Sequence, residues 1–114
     1  MDYRQIEEKF KAWEQVSKTV ENYVNDRNFQ EVSRYVNAYL DELKMIILLC
    51  NGYETEDIVD FSQFDQLAYT PINVTERLDF IEKRKHHRHA YIQLNELYKE
   101  MKKKYVTGKI KGEI

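Results

Sequence analysis

Residues 29–50 read FQEVSRYVNAYLDELKMIILLC, and this stretch decides the fold. Its apolar side chains recur every three or four residues, which is the period of a helix with one buried face. Asn51-Gly52 follows, and glycine readily adopts the left-handed backbone that ends a helix. The sequence therefore predicts a helix over about residues 29–50. The members of its apolar stripe are Phe29, Val32, Val36, Tyr39, Leu43, Ile47 and Cys50.

The last turns of this helix are apolar on every side, over residues 45–50. A helix that is apolar all round must be covered on all sides, either by the core of the same chain or by a partner. Core burial is the more common arrangement. The second alternative predicts a protein-interaction module or inhibitor that acts through an exposed apolar helix end, with Met45, Ile46, Leu48 and Leu49 at the interface.

Long helices are also predicted on either side of this stretch, because glycine and proline are absent from residues 1–51 and 72–107. We expect an all-α bundle with three long helices, at about residues 3–25, 29–50 and 74–106, and a short one at about 56–69. The first two should form an antiparallel hairpin. The predicted caps are Asp2 with Gln5, Thr55, and Asn73 with Glu76.

The last of these segments changes its apolar face midway. One face carries Val74, Leu78, Ile81 and Ile92. The nearly opposite face carries Tyr91, Leu94, Tyr98, Met101 and Tyr105. Either one long helix contacts two neighbours, or the helix breaks between the two halves. The lack of glycine or proline favours the continuous helix.

A chain of 114 residues fits a single domain, expected at residues 1–107 with a flexible tail at 108–114. Cys50 is the only cysteine, so a disulfide within the chain is excluded and a reducing compartment is favoured. The longest apolar run, residues 45–50, is too short to cross a membrane. We therefore expect a cytosolic protein with no membrane association and no cofactor.

Charge is divided unevenly along the chain. Residues 1–76 hold 7 Lys or Arg against 15 Asp or Glu, and residues 77–114 hold 11 against 5. This distribution predicts either ion pairs between the acidic and the basic half, within one chain or between subunits, or a polyanion bound to the basic half. The predicted nucleic-acid contacts are Lys83, Arg84, Lys85, Arg88, Lys99, Lys102, Lys103 and Lys104.

Three tyrosines, Tyr91, Tyr98 and Tyr105, recur every seven residues beside these cations. They could offer stacking surfaces to bases. Together with Leu94 and Met101 they also form a seam that is more typical of packing against another helix. The seam makes the tyrosines interface candidates and favours a homodimer.

The histidines are possible ligands of a metal ion. Glu82, His86 and His89 fall within about 60° of one another on a helix, so they form a weak candidate site. Helical-bundle metal centres need ligands from several helices, and all three histidines lie between residues 86 and 89. We therefore expect solvated histidines and no metal.

The order of Arg84, His89 and Tyr91 fits the form R-x4-H-x-Y. It resembles the motif of HEPN-type ribonucleases, small all-helical proteins that act as toxins and often dimerise. The resemblance implies metal-independent RNA cleavage in a dimer cleft, with Arg84 and His89 as catalytic residues. On one ideal helix these two side chains would point about 140° apart, so they converge only with a local distortion or a second subunit.

Taken together, these features predict a small non-enzymatic regulatory or adaptor protein that acts by binding. Its basic last helix is the expected working surface, for nucleic acid or for a protein partner that includes a second copy of the chain. No small-molecule substrate is indicated. In size it resembles accessory proteins of bacteria and their phages. The HEPN-like ribonuclease and the interaction module with an exposed apolar helix end are the alternatives.

Overall fold

Four α-helices and one short 3₁₀ helix form the protein in a computed structural model that describes residues 2–54 and 61–114. In chain order they are α1 (Tyr3–Asn25), α2 (Phe29–Cys50), the 3₁₀ helix (Phe61–Gln66), α3 (Val74–Lys83) and α4 (Arg88–Ile110). The described ranges contain no strand. Three of the α-helices are long and α3 is short, so the predicted all-α bundle is confirmed.

The first two helices form the predicted antiparallel hairpin. Asp2 caps α1 as expected, because its Oδ1 accepts a hydrogen bond from the Gln5 backbone N–H at 3.3 Å. Asn28 caps α2 in the same way through the backbone N–H of Glu31. An ion pair between Lys9 of α1 and Glu42 of α2, at 2.5 Å, also joins the two helices.

The apolar end of α2 is covered by the core of the chain itself. Ile46, Leu48 and Cys50 are buried, and Met45 and Leu49 are half-buried. An exposed apolar helix end is therefore not found, and the interface assigned to these residues is corrected to core packing. Burial raises the pKa of the Cys50 thiol to about 12, which makes it unreactive near neutral pH.

The side chain of Asn51, directly after α2, forms hydrogen bonds with the backbone of Tyr69. Its side-chain Nδ2 donates to the carbonyl of Tyr69 at 2.8 Å, and its Oδ1 accepts from the Tyr69 N–H at 2.9 Å. The short helix predicted at 56–69 falls partly outside the described residues, as does its Thr55 cap. Within the described part it is a 3₁₀ helix, Phe61–Gln66, rather than an α-helix.

The predicted helix over 74–106 is in fact two helices, α3 and α4, separated by a turn at residues 84–87. The continuous helix is therefore corrected. A continuous helix would have left one of its two opposed apolar faces exposed to water. The polar residues 83–89, where the apolar face changes, make few packing contacts that would favour a continuous helix. The turn lets α3 fold back against α4, so that Ile81 and Leu94 are both completely buried.

The start of α3 also differs from the expected capping box. Asn73 has a left-handed backbone, with φ of 56°, and its side chain caps nothing. The cap comes instead from Asp65 of the 3₁₀ helix, whose Oδ1 accepts from the Thr75 N–H at 3.1 Å. This partner lies 10 residues earlier in the chain, beyond the local pattern that defines a capping box.

Helix α4 runs antiparallel to α1 and extends to Ile110, past the expected end at 106. The chain then turns back, so that Ile114 is buried and its carbonyl accepts a hydrogen bond from the Tyr3 hydroxyl at 2.6 Å. This differs from the predicted flexible tail at 108–114. Gly108 makes the return feasible, because a Cβ there would lie 2.5 Å from Ile114 Cδ1.

Candidate functional site

The most basic segment of the chain lies at the turn between α3 and α4, and we call residues 83–89 the basic turn. Two of its cations have acidic neighbours. Lys83 pairs with Asp79 at 2.9 Å, and Lys85 pairs with Glu82 at 3.0 Å. Lys85 also donates to Asn37 Oδ1 at 2.5 Å, which places the turn beside the middle of α2.

The other cations of the basic turn carry no ion pair within the described residues. The Arg84 guanidinium stacks 4.3 Å from the centroid of the Phe80 ring, which orients it without neutralising it. Arg88 begins α4 with an exposed side chain. His86, His87 and His89 are exposed around it. This end of the bundle therefore offers concentrated positive charge to solvent.

A second group of cations follows the side of α4 that points away from the bundle. Arg88, Lys99 and Lys103 fall within about 60° of one another around the helix axis. Lys99 pairs with Glu96 at 3.8 Å, and Lys103 has no ion pair among the residues that the structure describes. We call this side, from Arg88 to Ile110, the outward face of α4.

Exposed aliphatic side chains share the outward face. Ile92 is 46% exposed, Val106 43% and Ile110 81%. On one continuous helix Ile92 would share a face with Val74, Leu78 and Ile81, which are buried in α3. The turn at residues 84–87 changes the angular relation between the two helices, so Ile92 faces solvent instead.

The basic helix is also matched in part by the acidic half of the chain. Lys102 pairs with Glu14 of α1, and Lys109 pairs with Glu7 at 2.8 Å. Hydrogen bonds from Lys109 and then Tyr105 hold the pKa of the Glu7 carboxyl below its usual range. Lys104, on the other flank of α4, has no ion pair within residues 2–54 and 61–114.

Of the eight predicted nucleic-acid contacts, half are therefore engaged with acidic side chains. Those are Lys83, Lys85, Lys99 and Lys102. All of the eight are exposed except Lys85, which is half-buried. Surface ion pairs of this kind are weak, so most of the set remains accessible to an external anion.

The tyrosine seam of α4 packs inside the chain. Tyr98 is 2% exposed, its ring stacks on Trp13 with centroids 4.8 Å apart, and its hydroxyl donates to the Tyr39 carbonyl at 2.5 Å. Tyr91 donates to the Ser17 carbonyl at 3.2 Å and Tyr105 to Glu7 Oε2 at 2.5 Å. The seam thus joins α4 to α1 and α2. Self-association stays a prediction, and these tyrosines give it no support because their rings are buried within one chain.

The residues of the HEPN-like pattern do not all lie on one helix. Arg84 is the first residue of the turn at 84–87 and His89 lies in the first turn of α4, both exposed, so the angle expected on one ideal helix does not apply. Tyr91 is 7% exposed, with its hydroxyl bound to α1, so it is not part of a surface that RNA can reach.

The weak metal candidate brings no ligand set together. Glu82 contacts Lys85 at 3.0 Å and lies 4.0 Å from Lys44 Nζ. Across residues 2–54 and 61–114 no group of three or more His, Cys, Asp or Glu side chains is placed to hold a metal ion. His86 and His89 are exposed in the basic turn.

Comparison with known proteins assigns a family. The model of a family described as YpoC-like protein matches residues 3–113, and the chain therefore belongs to that family. Comparisons with curated proteins and with solved structures found no match. None of the described helices is both long and apolar enough to cross a bilayer.

Proposed function

We propose that this YpoC-like protein is a small cytosolic regulatory or adaptor protein that binds the phosphates of nucleic acid through the basic turn and the outward face of α4. The observation that carries the proposal is a cluster of exposed cations, on the basic turn and α4, that have no ion pair within the described residues. Arg84 and Arg88 lie in the basic turn, Lys103 lies on the outward face of α4, and Lys104 lies on its flank. Binding requires no catalytic group and no cofactor.

The neighbouring lysines strengthen this surface. Lys83 and Lys99 pair with acids on their own helices, three or four residues away. Such exposed pairs are worth about 0–1 kcal/mol, so a phosphate can replace the acid at little cost. Each phosphate neutralised also releases condensed counterions, which favours binding at low salt.

Fluorescence anisotropy on labelled mixed-sequence DNA and RNA tests the proposal. We expect the logarithm of the association constant to fall linearly with the logarithm of salt concentration. A variant with Lys83, Arg84, Lys85 and Arg88 all changed to Gln should bind at least about tenfold more weakly and show a shallower salt slope.

The matched control changes Arg4, Lys11, Lys18 and Arg34 to Gln, which removes four exposed cations from α1 and α2. Its affinity should stay within about twofold of the wild type if the surface around α4 is specific. Equal losses in the two variants, or binding that salt does not weaken, would contradict the proposal.

A metal-independent, HEPN-like ribonuclease is the second candidate. It is supported by the turn at residues 84–87, because Arg84 lies in this turn and His89 in α4, so the two are not on one rigid helix. In this candidate Arg84→Ala and His89→Ala each abolish RNA cleavage while circular dichroism shows unchanged helicity. A wild-type protein that leaves varied RNAs intact in the presence of EDTA would end this candidate.

A further inference from the structure

The cations of the outward face form a line along a rigid element. Arg88 and Lys103 are both on α4, a helix of 23 residues. With a rise of 1.5 Å per residue, their backbones are about 22 Å apart along the axis. Phosphates on one strand of a duplex are spaced about 3.4 Å apart along its axis, so this line spans about six base pairs.

The same face exposes no tyrosine, tryptophan or phenylalanine ring on which bases can stack. Proteins that hold single strands without sequence preference combine a basic groove with exposed aromatic rings. The three tyrosines of α4 are all buried, and their hydroxyls are bound to α1 or α2. The apolar side chains that do reach solvent along this face are aliphatic, namely Ile92, Val106 and Ile110.

The two amide side chains of α4, Gln93 and Asn95, are also engaged elsewhere. Asn and Gln recognise adenine through their amide groups. Asn95 Oδ1 accepts from the Trp13 indole N–H at 3.0 Å, and Gln93 Oε1 accepts two bonds from Arg77 at 3.0 and 3.1 Å. These bonds direct both amides toward neighbouring helices and away from the outward face.

The packing around α4 limits how deeply it can enter a groove. Helix α1 flanks it on one side, through the pair of Lys102 with Glu14. Helix α3 flanks it on the other, through Arg77 and Glu100 at 2.5 Å. A recognition helix reads bases by entering the major groove, whereas the long lysine and arginine side chains of a flanked helix reach the phosphates first.

From these contacts we infer that the ligand of the outward face is a nucleic-acid duplex, held by its phosphate backbone without regard to base sequence. This inference rests on the proposed function and specifies its substrate class. Duplex DNA and duplex RNA both present two phosphate backbones, so the experiment includes both.

The test measures affinity for four labelled oligonucleotides of equal length at several salt concentrations. They are two duplex DNAs of unrelated sequence, one duplex RNA, and one single DNA strand. We expect one or both kinds of duplex to bind about tenfold or more tightly than the single strand, and the two DNA sequences to agree within about threefold. The duplex that binds more tightly identifies the source.

The variant for this test carries Lys99→Gln and Lys103→Gln. It should weaken binding to both DNA sequences equally and lower the salt slope by about two, because each phosphate contact contributes about 0.9. The control carries Arg4→Gln and Lys18→Gln on α1, where each cation has an exposed ion pair on its own helix, as Lys99 has with Glu96. It should bind like the wild type.

The outcomes separate the inference from the proposed function. A single strand bound as tightly as the duplexes, or a tenfold difference between the two DNA sequences, overturns the inference and leaves nucleic-acid binding standing. A variant whose loss equals that of the control also overturns it. No binding to any of the four oligonucleotides refutes the proposed function, and the inference with it.

Discussion

Tyr98 shows how a single side chain joins three helices. Its ring stacks on Trp13 of α1, and its hydroxyl donates to the main-chain carbonyl of Tyr39 in α2. Aromatic pairs of this kind add about 0.5–1.5 kcal/mol beyond the burial of their surface. Burial, followed by the charge of Glu42, raises the pKa of the Tyr98 hydroxyl far above its usual value. The residue is therefore held neutral in the folded protein.

Removing this hydroxyl isolates the contribution of the hydrogen bond. We expect Tyr98→Phe to keep the ring stacking and to lower the free energy of unfolding by about 1 kcal/mol. Urea denaturation measures the change. Tyr53→Phe is the matched control, because Tyr53 is 38% exposed. A Tyr98→Phe loss no larger than that of the control would mean that the hydrogen bond adds nothing to stability.

The raised pKa also predicts how the fold responds to alkali. A tyrosine whose pKa is higher in the folded than in the unfolded chain favours folding below its ordinary value of about 10, and this contribution is lost as pH rises above it. Wild-type stability should therefore fall above about pH 10, and Tyr98→Phe should show a shallower fall. Thermal unfolding between pH 8 and about 11 checks the slopes, and parallel slopes would assign the effect elsewhere.

At the scale of elements, the connection from the 3₁₀ helix to α3 replaces a local cap with a distant one. Asn73 stands at the position of an N-cap, but its left-handed backbone prevents the usual side-chain bond. Asp65 supplies the acceptor for the Thr75 N–H instead. A helix start thereby depends on the packing of a neighbouring element, since α3 is only 10 residues long and weak in isolation.

The two possible caps give opposite predictions on mutation. Asp65→Ala should destabilise the protein by about 0.5–2 kcal/mol, the usual range for loss of an N-cap. Asn73→Gly should be neutral or stabilising by up to about 1 kcal/mol, because glycine adopts positive φ without strain. Denaturant unfolding of both variants is the measurement. Destabilisation by Asn73→Gly that exceeds the effect of Asp65→Ala would favour the capping box expected from sequence.

For the whole molecule, the acidic first half and the basic second half of the chain form ion pairs between α1 and α4. Lys109 of α4 pairs with Glu7 of α1, and Lys102 pairs with Glu14. The acidic first half therefore neutralises one flank of α4 and leaves its outward face basic. The order of these pairs, with the later lysine meeting the earlier glutamate, follows from the antiparallel arrangement of α4 and α1.

The acidic partner Glu7 should contribute to the dependence of stability on pH. Its pKa is lower in the folded protein because of the hydrogen bonds from Lys109 and Tyr105, so its contribution is present above its ordinary pKa and is lost as pH falls through the folded value. Glu7→Gln should therefore flatten the loss of stability below about pH 4.5. Melting temperatures measured across that range test this, with Glu8→Gln, in the same turn of α1, as the control. Identical acid profiles for the two variants would contradict it.

The sequence by itself determined the all-α class, the bounds of α1 and α2, the Asp2 cap and the stop at Asn51-Gly52. Those features depend on side chains within a few residues of one another, so periodicity and capping reveal them. It also located the basic segment of residues 83–89, since charge is visible in composition.

Only the tertiary structure decided the break at residues 84–87, the burial of the end of α2, and which cations remain without an ion pair. Each depends on which faces meet across the bundle. A helix that must bury two opposed faces can stay straight or fold back, and its own residues permit both. The packing of α3 on α4 selects the second, because the apolar side chains of α3 and the tyrosine seam of α4 are then both removed from water, and only Ile92 of the two predicted faces stays exposed.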